Sequence, residues 1–287
     1  MTTYAVTGAS GPFGRHVLET LLGSGVAPSD LVAIARTPKK VADLAERGVS
    51  VREADYELPD TLDVALAGVD VLLLVSGSEV GRRVRQHGNV IDAARRAGVS
   101  RLGYTSVLRA DSTPLVIAPE HKATEELIAA AGLPHTLLRN GWYLENYTGA
   151  LDSYAEHGTI SHAAGSGRIA AALRADLAEA AARAIVENRS GDVVFELGGT
   201  PFTYDDLAAA VTEATGATVV ATELPPDQLR DKLVGAGLDE GTAGFLVAVD
   251  ANIADGALDT DSDDLARLLG RPATPLVGAL RAARRPA

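Results

Sequence analysis

The chain has no cysteine among its 287 residues, which excludes disulfides, thiolate nucleophiles and cysteine-based metal sites and fits a reducing cytosol. Aromatics are sparse, at 4% with a single tryptophan. Lysine occurs only at Lys39, Lys40, Lys122 and Lys232, and none has a tyrosine four residues before it; Ala118 holds that place ahead of Lys122. The tyrosine–lysine pair with which carbonyl reductases protonate a developing alkoxide is therefore missing. That absence counts against ordinary ketone and alcohol chemistry, and against sugar epimerisation through a ketone. Positive charge is in deficit: the formal net charge of −12 disfavours nucleic acid and anionic membrane surfaces as partners. Any anion site must be local. No run approaches the apolar length of a bilayer span, and with the first strand expected to start directly at the N-terminus no signal peptide is expected. A cytoplasmic protein is expected, with no metal site. The aspartates 255, 259, 261, 263 and 264 lack the spacing and the glutamate of a calcium loop and read as a solvated face and helix N-terminus.

What is present begins at residues 3–14, TYAVTGASGPFG, where a short apolar strand runs through a glycine-punctuated turn into a helical pattern. Gly8 allows the turn off the strand, Gly11 lets the backbone approach a pyrophosphate, and Gly14 lets the helix pack close to the sheet. Unpaired N–H groups at the helix N-terminus then meet the anion. Ala9, Ser10, Pro12 and Phe13 complete this turn.

Strands and helices alternate after it. The spacing predicts strands over 31–35, 49–54, 69–75, 101–105 and 135–139, with helices over 12–23, 39–47, 61–66, 84–97 and 120–131 between them. The run 69–75 is the most apolar and should be central. Beyond about residue 150 the alternation loosens: 158–167 reads as a hairpin or loop, 174–186 as a helix and 193–197 as a late strand. Helices are expected over 204–215, 227–236, 242–249 and 261–269. The expected fold is α/β, a Rossmann-type doubly wound parallel sheet with a smaller, mainly helical C-terminal lobe. The dinucleotide-binding domain is placed at 1–150 and the lobe at 151–287.

Ligands of open α/β sheets bind outside the carboxyl ends of the strands. Here those tips are residues 8–14, Arg36, Asp55, Ser76, Gly77, Ser78, Thr105, Ser106, and Asn140, Gly141, Trp142 and Tyr143, which include the only tryptophan. Where an NAD site would carry an acid at the end of the second strand, this chain has Arg36, the residue type a 2′-phosphate needs, so NADPH (NADP) is favoured. Lys39 and Lys40 follow it. A quinone that accepts hydride becomes phenolate-like, with a conjugate acid near ~10, and needs no strong general acid. His87 reads as a packing or hydrogen-bonding residue.

Several motifs together resemble the NmrA-like atypical short-chain dehydrogenase family, over nearly the whole length, and within it the bacterial NAD(P)H:quinone oxidoreductases. They are TGASGPFG with Arg36, Ala54-Asp55-Tyr56, SGSEVGRR from Ser76, His87 with Asn89, Tyr104-Thr105-Ser106, Glu120-His121 with Thr124-Glu125, and LLRNGWYLENY from Leu137. The resemblance implies NADPH as cofactor and a small-molecule quinone reduced by two electrons without flavin. It implies Gly8 to Gly14 on the pyrophosphate, Arg36 on the 2′-phosphate, and Ser76 to Ser78 at the riboses, with Asp55, Tyr56 and Thr105 also beside the cofactor. Asn140, Gly141, Trp142, Tyr143, Leu144 and Glu145 would surround the nicotinamide and substrate, and Arg174 would also contact cofactor. No residue is expected to be an obligatory catalyst; Asn140, Trp142, Tyr143 and Lys122 are candidates for positioning the substrate. Two other readings stay open: a redox sensor that binds NADP(H) without turnover, and an alkene or aryl-ether reductase of the isoflavone-reductase type, which would want Lys122 near the nicotinamide. The oligomeric state is open, a homodimer among the options.

Overall fold

The computed structural model describes residues 1–187 and 190–284. In chain order its elements are β1 Tyr4–Val6, α1 Pro12–Gly23, β2 Leu31–Ala35, α2 Ala42–Glu46, β3 Ser50–Glu53, α3 Pro59–Ala65, β4 Val71–Leu74, α4 Arg83–Ala97, β5 Arg101–Val107, α5 Ala118–Ala130, β6 His135–Asn140, α6 Glu145–Thr148, α7 Leu151–His157, β7 Thr159–His162, α8 Arg174–Val186, β8 Val193–Leu197, α9 Tyr204–Thr215, β9 Val220–Glu223, α10 Pro226–Gly235, α11 Glu240–Ala254, α12 Asp264–Leu269 and α13 Leu276–Ala283. They form two compact units, the first made of Met1–Asp111, Pro119–Asn140 and Arg174–Phe195, the second of Ser112–Ala118, Gly141–Leu173 and Glu196–Ala287. The chain thus leaves the first unit at Asn140 and returns to it for α8 and the start of β8.

The first unit is built on a seven-stranded sheet of order β3-β2-β1-β4-β5-β6-β8, with β1 to β6 paired in parallel. The strand VLLL of β4, wholly buried, is the middle of the seven. Continuous apolar strands of this kind need cover on both faces. On one face Leu72, Leu74, Leu102, Tyr104 and Leu137 pack with Leu62 and Leu66 near α3 and Val90, Ile91 and Ala94 of α4. On the other, α1 and α8 pack together, and Gly103 of β5 lets the sheet meet α8: a Cβ there would lie 3.1 Å from Ile185 and 3.0 Å from Leu73.

The second unit carries a two-stranded parallel sheet, β7 with β9, in which Thr159 faces Val220 and His162 faces Glu223. This corrects the hairpin or loop expected over 158–167. The partner strand lies across α8, β8 and α9, and neither four-residue strand is apolar enough to announce itself. Helix α9 starts at a capping box in which Thr203 accepts from the Asp206 N–H and Asp206 accepts from that of Thr203. Helix α11 runs well beyond the expected 242–249, capped by Asp239, whose carboxylate accepts from the Thr242 N–H. Helices α6, α7 and α13 lie outside the ranges that the spacing predicts.

Candidate cofactor site and active site

The glycine turn has the backbone that its sequence calls for. Gly8 sits at φ +61°, which a side chain resists, and a Cβ on Gly14 would lie 2.6 Å from the Gly8 carbonyl oxygen. Helix α1 therefore springs from β1 at a distance only glycine permits. Its N-terminus has Pro12 in the first turn, no side-chain cap and no acidic residue, so its leading N–H groups are left to an anion. The turn is stitched to its neighbours: the Ala9 N–H donates to the Ile34 carbonyl of β2 and the Gly11 N–H to that of Gly8. Ala9 and Phe13 are buried, whereas Ser10 and Pro12 are exposed. This cradle, which a Cβ would spoil, fits a pyrophosphate.

Arg36 follows β2 directly. It is exposed, and its Nη1 lies 3.3 Å from Oε1 of Glu79, in the loop after β4. Glu79 also meets Arg82, at 3.2 Å. The loop that carries Ser76, Gly77 and Ser78 is fastened from behind. The Gly77 N–H donates to Nε2 of His87 at 3.0 Å, and the Gly77 carbonyl accepts from Nε of Arg83 at 2.6 Å. Arg83 and His87 stand one turn apart on the same face of α4. From α5, Glu120 accepts from the Gly81 N–H at 2.8 Å. Burial, with the Arg83 charge second, lowers the His87 pKa to about 4, so the ring is neutral and can accept from Gly77. The motifs alone assign Arg83, Glu120 and Glu79 no role; the i, i+4 spacing of Arg83 and His87 is the one sequence feature that points to this clamp.

Other tip residues are already engaged. The Thr105 hydroxyl, buried, accepts from the Ser76 N–H at 2.8 Å. The Tyr56 hydroxyl donates to the Val75 carbonyl at 2.9 Å and meets Thr7, tying the tips of β1 and β4 together. Burial raises its pKa above the ordinary tyrosine range. Asp55 accepts from the Glu57 N–H at 2.9 Å and its own N–H donates to Thr61. The Tyr56 and Thr105 side chains thus brace the rim formed by the strand tips.

Asn140 is different. It ends β6, is 5% exposed, and among the described residues neither its Nδ2 nor its Oδ1 has a hydrogen-bond partner. Strand alternation puts it opposite Arg139, which reaches α5 through Glu125 at 2.7 Å, and so on the face covered by α1 and α8. A buried amide without a partner is costly, which makes Asn140 a candidate for contact with a ligand.

In the second unit, Gly141 to Glu145 run in a tightly held backbone. The Gly141 N–H donates to Leu197 at 2.7 Å, the Ala172 N–H to Trp142 at 2.9 Å and the Leu144 N–H to Ala172 at 3.0 Å. A Cβ on Gly141 would lie 2.4 Å from the Ala170 oxygen. Trp142, Tyr143 and Glu145 are half-buried on this frame, while Leu144 is core. Arg174, half-buried, opens α8 in the first unit.

Three proton-bearing side chains, His121, Lys122 and Tyr104, lie on or against α5. His121, buried, holds the Tyr104 hydroxyl 2.8 Å from its Nδ1, and burial lowers its pKa to about 3. Burial also pushes Tyr104 above the ordinary range. Lys122 is exposed.

Parallel sheet, glycine turn and cationic tip of β2 define a Rossmann-type dinucleotide-binding protein. The chain belongs to the NAD(P)H-binding, NmrA-like family: the family model described as NAD(P)H-binding matches residues 8–188. It is 45% identical to quinone oxidoreductase 2 of Escherichia coli K12 over 95% of each chain, and 34% identical to an NmrA-like oxidoreductase of Aspergillus flavus over 97% of this chain and 94% of that one. Among solved structures, the E. coli NADPH-dependent quinone oxidoreductase complexed with NADPH superposes with a TM-score of 0.95 at 44% identity, covering 99% of this chain and all of that one. The Citrobacter triphenylmethane reductase complexed with NADP(H) gives 0.93 at 36%, covering 98% of this chain and all of that one.

Proposed function

We propose that this protein is a flavin-independent quinone oxidoreductase that uses NADPH. Bound NADPH supplies a hydride from its nicotinamide, so that NADPH, a quinone and one proton give NADP⁺ and the hydroquinone. The glycine turn and the α1 N-terminus hold the pyrophosphate, Arg36 the 2′-phosphate, and the clamped loop of Ser76, Gly77 and Ser78 the riboses. Asn140 positions the reacting groups, with Trp142 and Tyr143 on the chain that runs on from it as the aromatic contacts of the acceptor. We place the protein in the cytoplasm, as its composition suggests.

The observation that carries the choice of acceptor is the lack of a tuned acid. His121 is neutral and bound to Tyr104, Tyr104 is held above its usual pKa, and Lys122 is exposed. A ketone would leave a strongly basic alkoxide with no donor matched to it, whereas a quinone leaves an anion whose conjugate acid lies near ~10 and which water can protonate. Orientation of the reacting groups is then the main contribution of the protein. The likeness to an NADPH-dependent quinone oxidoreductase along nearly the whole chain supports both cofactor and acceptor.

The test is single-turnover oxidation of NADPH carrying deuterium at the transferred position, by flavin-free protein with benzoquinone. A primary isotope effect without added flavin supports direct transfer. Firm NADPH binding without oxidation by any quinone assigns the sensor reading instead.

A further inference from the structure

Arg36 and Glu79 sit on opposite sides of the strand that carries the glycine turn. β1 lies between β2 and β4, so an ion pair from the tip of β2 to the loop after β4 passes across the end of β1. Glu79 is not a wandering surface acid. Its Oε2 accepts from Nε2 of Gln86 at 3.2 Å, and Gln86 is itself 4% exposed and donates also to Glu57 at 2.9 Å. Its two oxygens divide between two cations, Oε1 toward Arg36 and Oε2 toward Arg82. Arg82, Gln86 and Arg36 hold its carboxyl below the ordinary glutamate range, so it stays charged. One anion therefore already occupies the guanidinium assigned above to the 2′-phosphate.

We propose that Glu79 sets the preference between the two nicotinamide cofactors, because its carboxylate competes with a 2′-phosphate for Arg36 and offers an acceptor to the 2′-hydroxyl of a cofactor that lacks the phosphate. The inference rests on the reading of Arg36 as the 2′-phosphate residue. An acid near a ribose hydroxyl is the usual NAD device and an arginine the usual NADP device. This chain carries both, on neighbouring loops and bound to each other. Arg82 takes part of the carboxylate's charge and so eases the release of Arg36. Because the pair is exposed, at 66% for Arg36 and 36% for Glu79, displacing it is cheap, and the effect is one of selectivity and not of all-or-none binding.

The experiment is calorimetric titration of NADPH and of NADH, at one ionic strength, into the parent, Glu79→Gln, Arg82→Ala and Arg36→Ala proteins. Glu79→Gln should tighten NADPH about 2–5-fold, the worth of an exposed ion pair, and leave NADH unchanged or weaker, widening the ratio of the two dissociation constants. Arg82→Ala should move that ratio the opposite way. A ratio in Glu79→Gln that stays within about twofold of the parent, or equal losses for both cofactors, overturns the proposal. The Arg36→Ala arm separates the two ideas. A selective loss of NADPH there, about 10–100-fold, with no change in Glu79→Gln defeats only the role of Glu79; no selective loss defeats the 2′-phosphate reading and the proposal with it.

Discussion

The Gly77 N–H donates to Nε2 of His87 at 3.0 Å, and the other ring nitrogen faces the Thr124 hydroxyl at 3.0 Å. The acceptor role of Nε2 assigns the proton to Nδ1 and requires a neutral ring. Burial first, and Arg83 second, lower the His87 pKa from 6.5 to about 4. Between these values the unfolded chain binds a proton that the folded chain refuses, so stability rises with pH. The contribution is fully present above about 6.5 and is lost as pH falls toward 4, on the order of 3 kcal/mol in all. His121 adds to it in the same direction, its pKa lowered to about 3. Urea unfolding between pH 6.5 and 4.5 should show His87→Gln with a slope of stability against pH smaller by about one proton. An unchanged slope would mean that His87 is not buried neutral.

Two glycines of α1 should respond oppositely to the same methyl group. Gly14→Ala drives a Cβ to 2.6 Å from the Gly8 oxygen, while nothing lies within 4 Å of one on Gly23. The first should cost about 1–3 kcal/mol and weaken NADPH; the second should be neutral or stabilising by up to about 1 kcal/mol. Urea midpoints of the two variants check this. Equal effects would show that the turn has slack.

Asn140 should illustrate a conflict between stability and function. Replacing its two unpartnered polar atoms by an apolar group of similar shape, Asn140→Leu, removes a penalty of about 1–3 kcal/mol. The unliganded variant should melt no lower than the parent, and quinone turnover should fall. A destabilised variant with full turnover would place Asn140 in the packing alone.

How much of this was legible depended on range. The all-apolar strand of β4 read as central, and it is the middle strand, because burial on both faces writes itself into consecutive residues. Helix α8 was readable at its observed limits, Arg174–Val186, since helical spacing is local. The β7 and β9 pairing was hidden: four residues each, of mixed polarity, joined across a long stretch of chain. At the site, the glycines and Arg36 stood out by residue type. The engagement of Tyr56 and Thr105 with the strand tips, and of Glu79 with Arg36, follows from strand order and cannot be seen in spacing.

Lys122, exposed on α5, should be dispensable. An essential general acid is worth about 10²–10⁴-fold in rate, so Lys122→Ala with quinone turnover within about tenfold of the parent fits the account. A collapse with NADPH affinity intact would return the isoflavone-reductase type of chemistry. Trp142→Ala should raise the quinone KM or lower kcat while NADPH affinity stays nearly constant, since the phosphate contacts lie elsewhere. Loss of NADPH affinity alone would contradict the assignment of Trp142 to the acceptor.

In the proposed reaction, hydride leaves NADPH for an acceptor that needs no acid from the protein. The most direct measurement is anaerobic steady-state oxidation of NADPH by flavin-free protein, with benzoquinone, menadione and cyclohexanone assayed in parallel. Turnover is expected with one or both quinones, and none above background with the ketone. Ketone reduction at a comparable rate would contradict it, because it would require a proton donor that neither His121, Tyr104 nor Lys122 supplies.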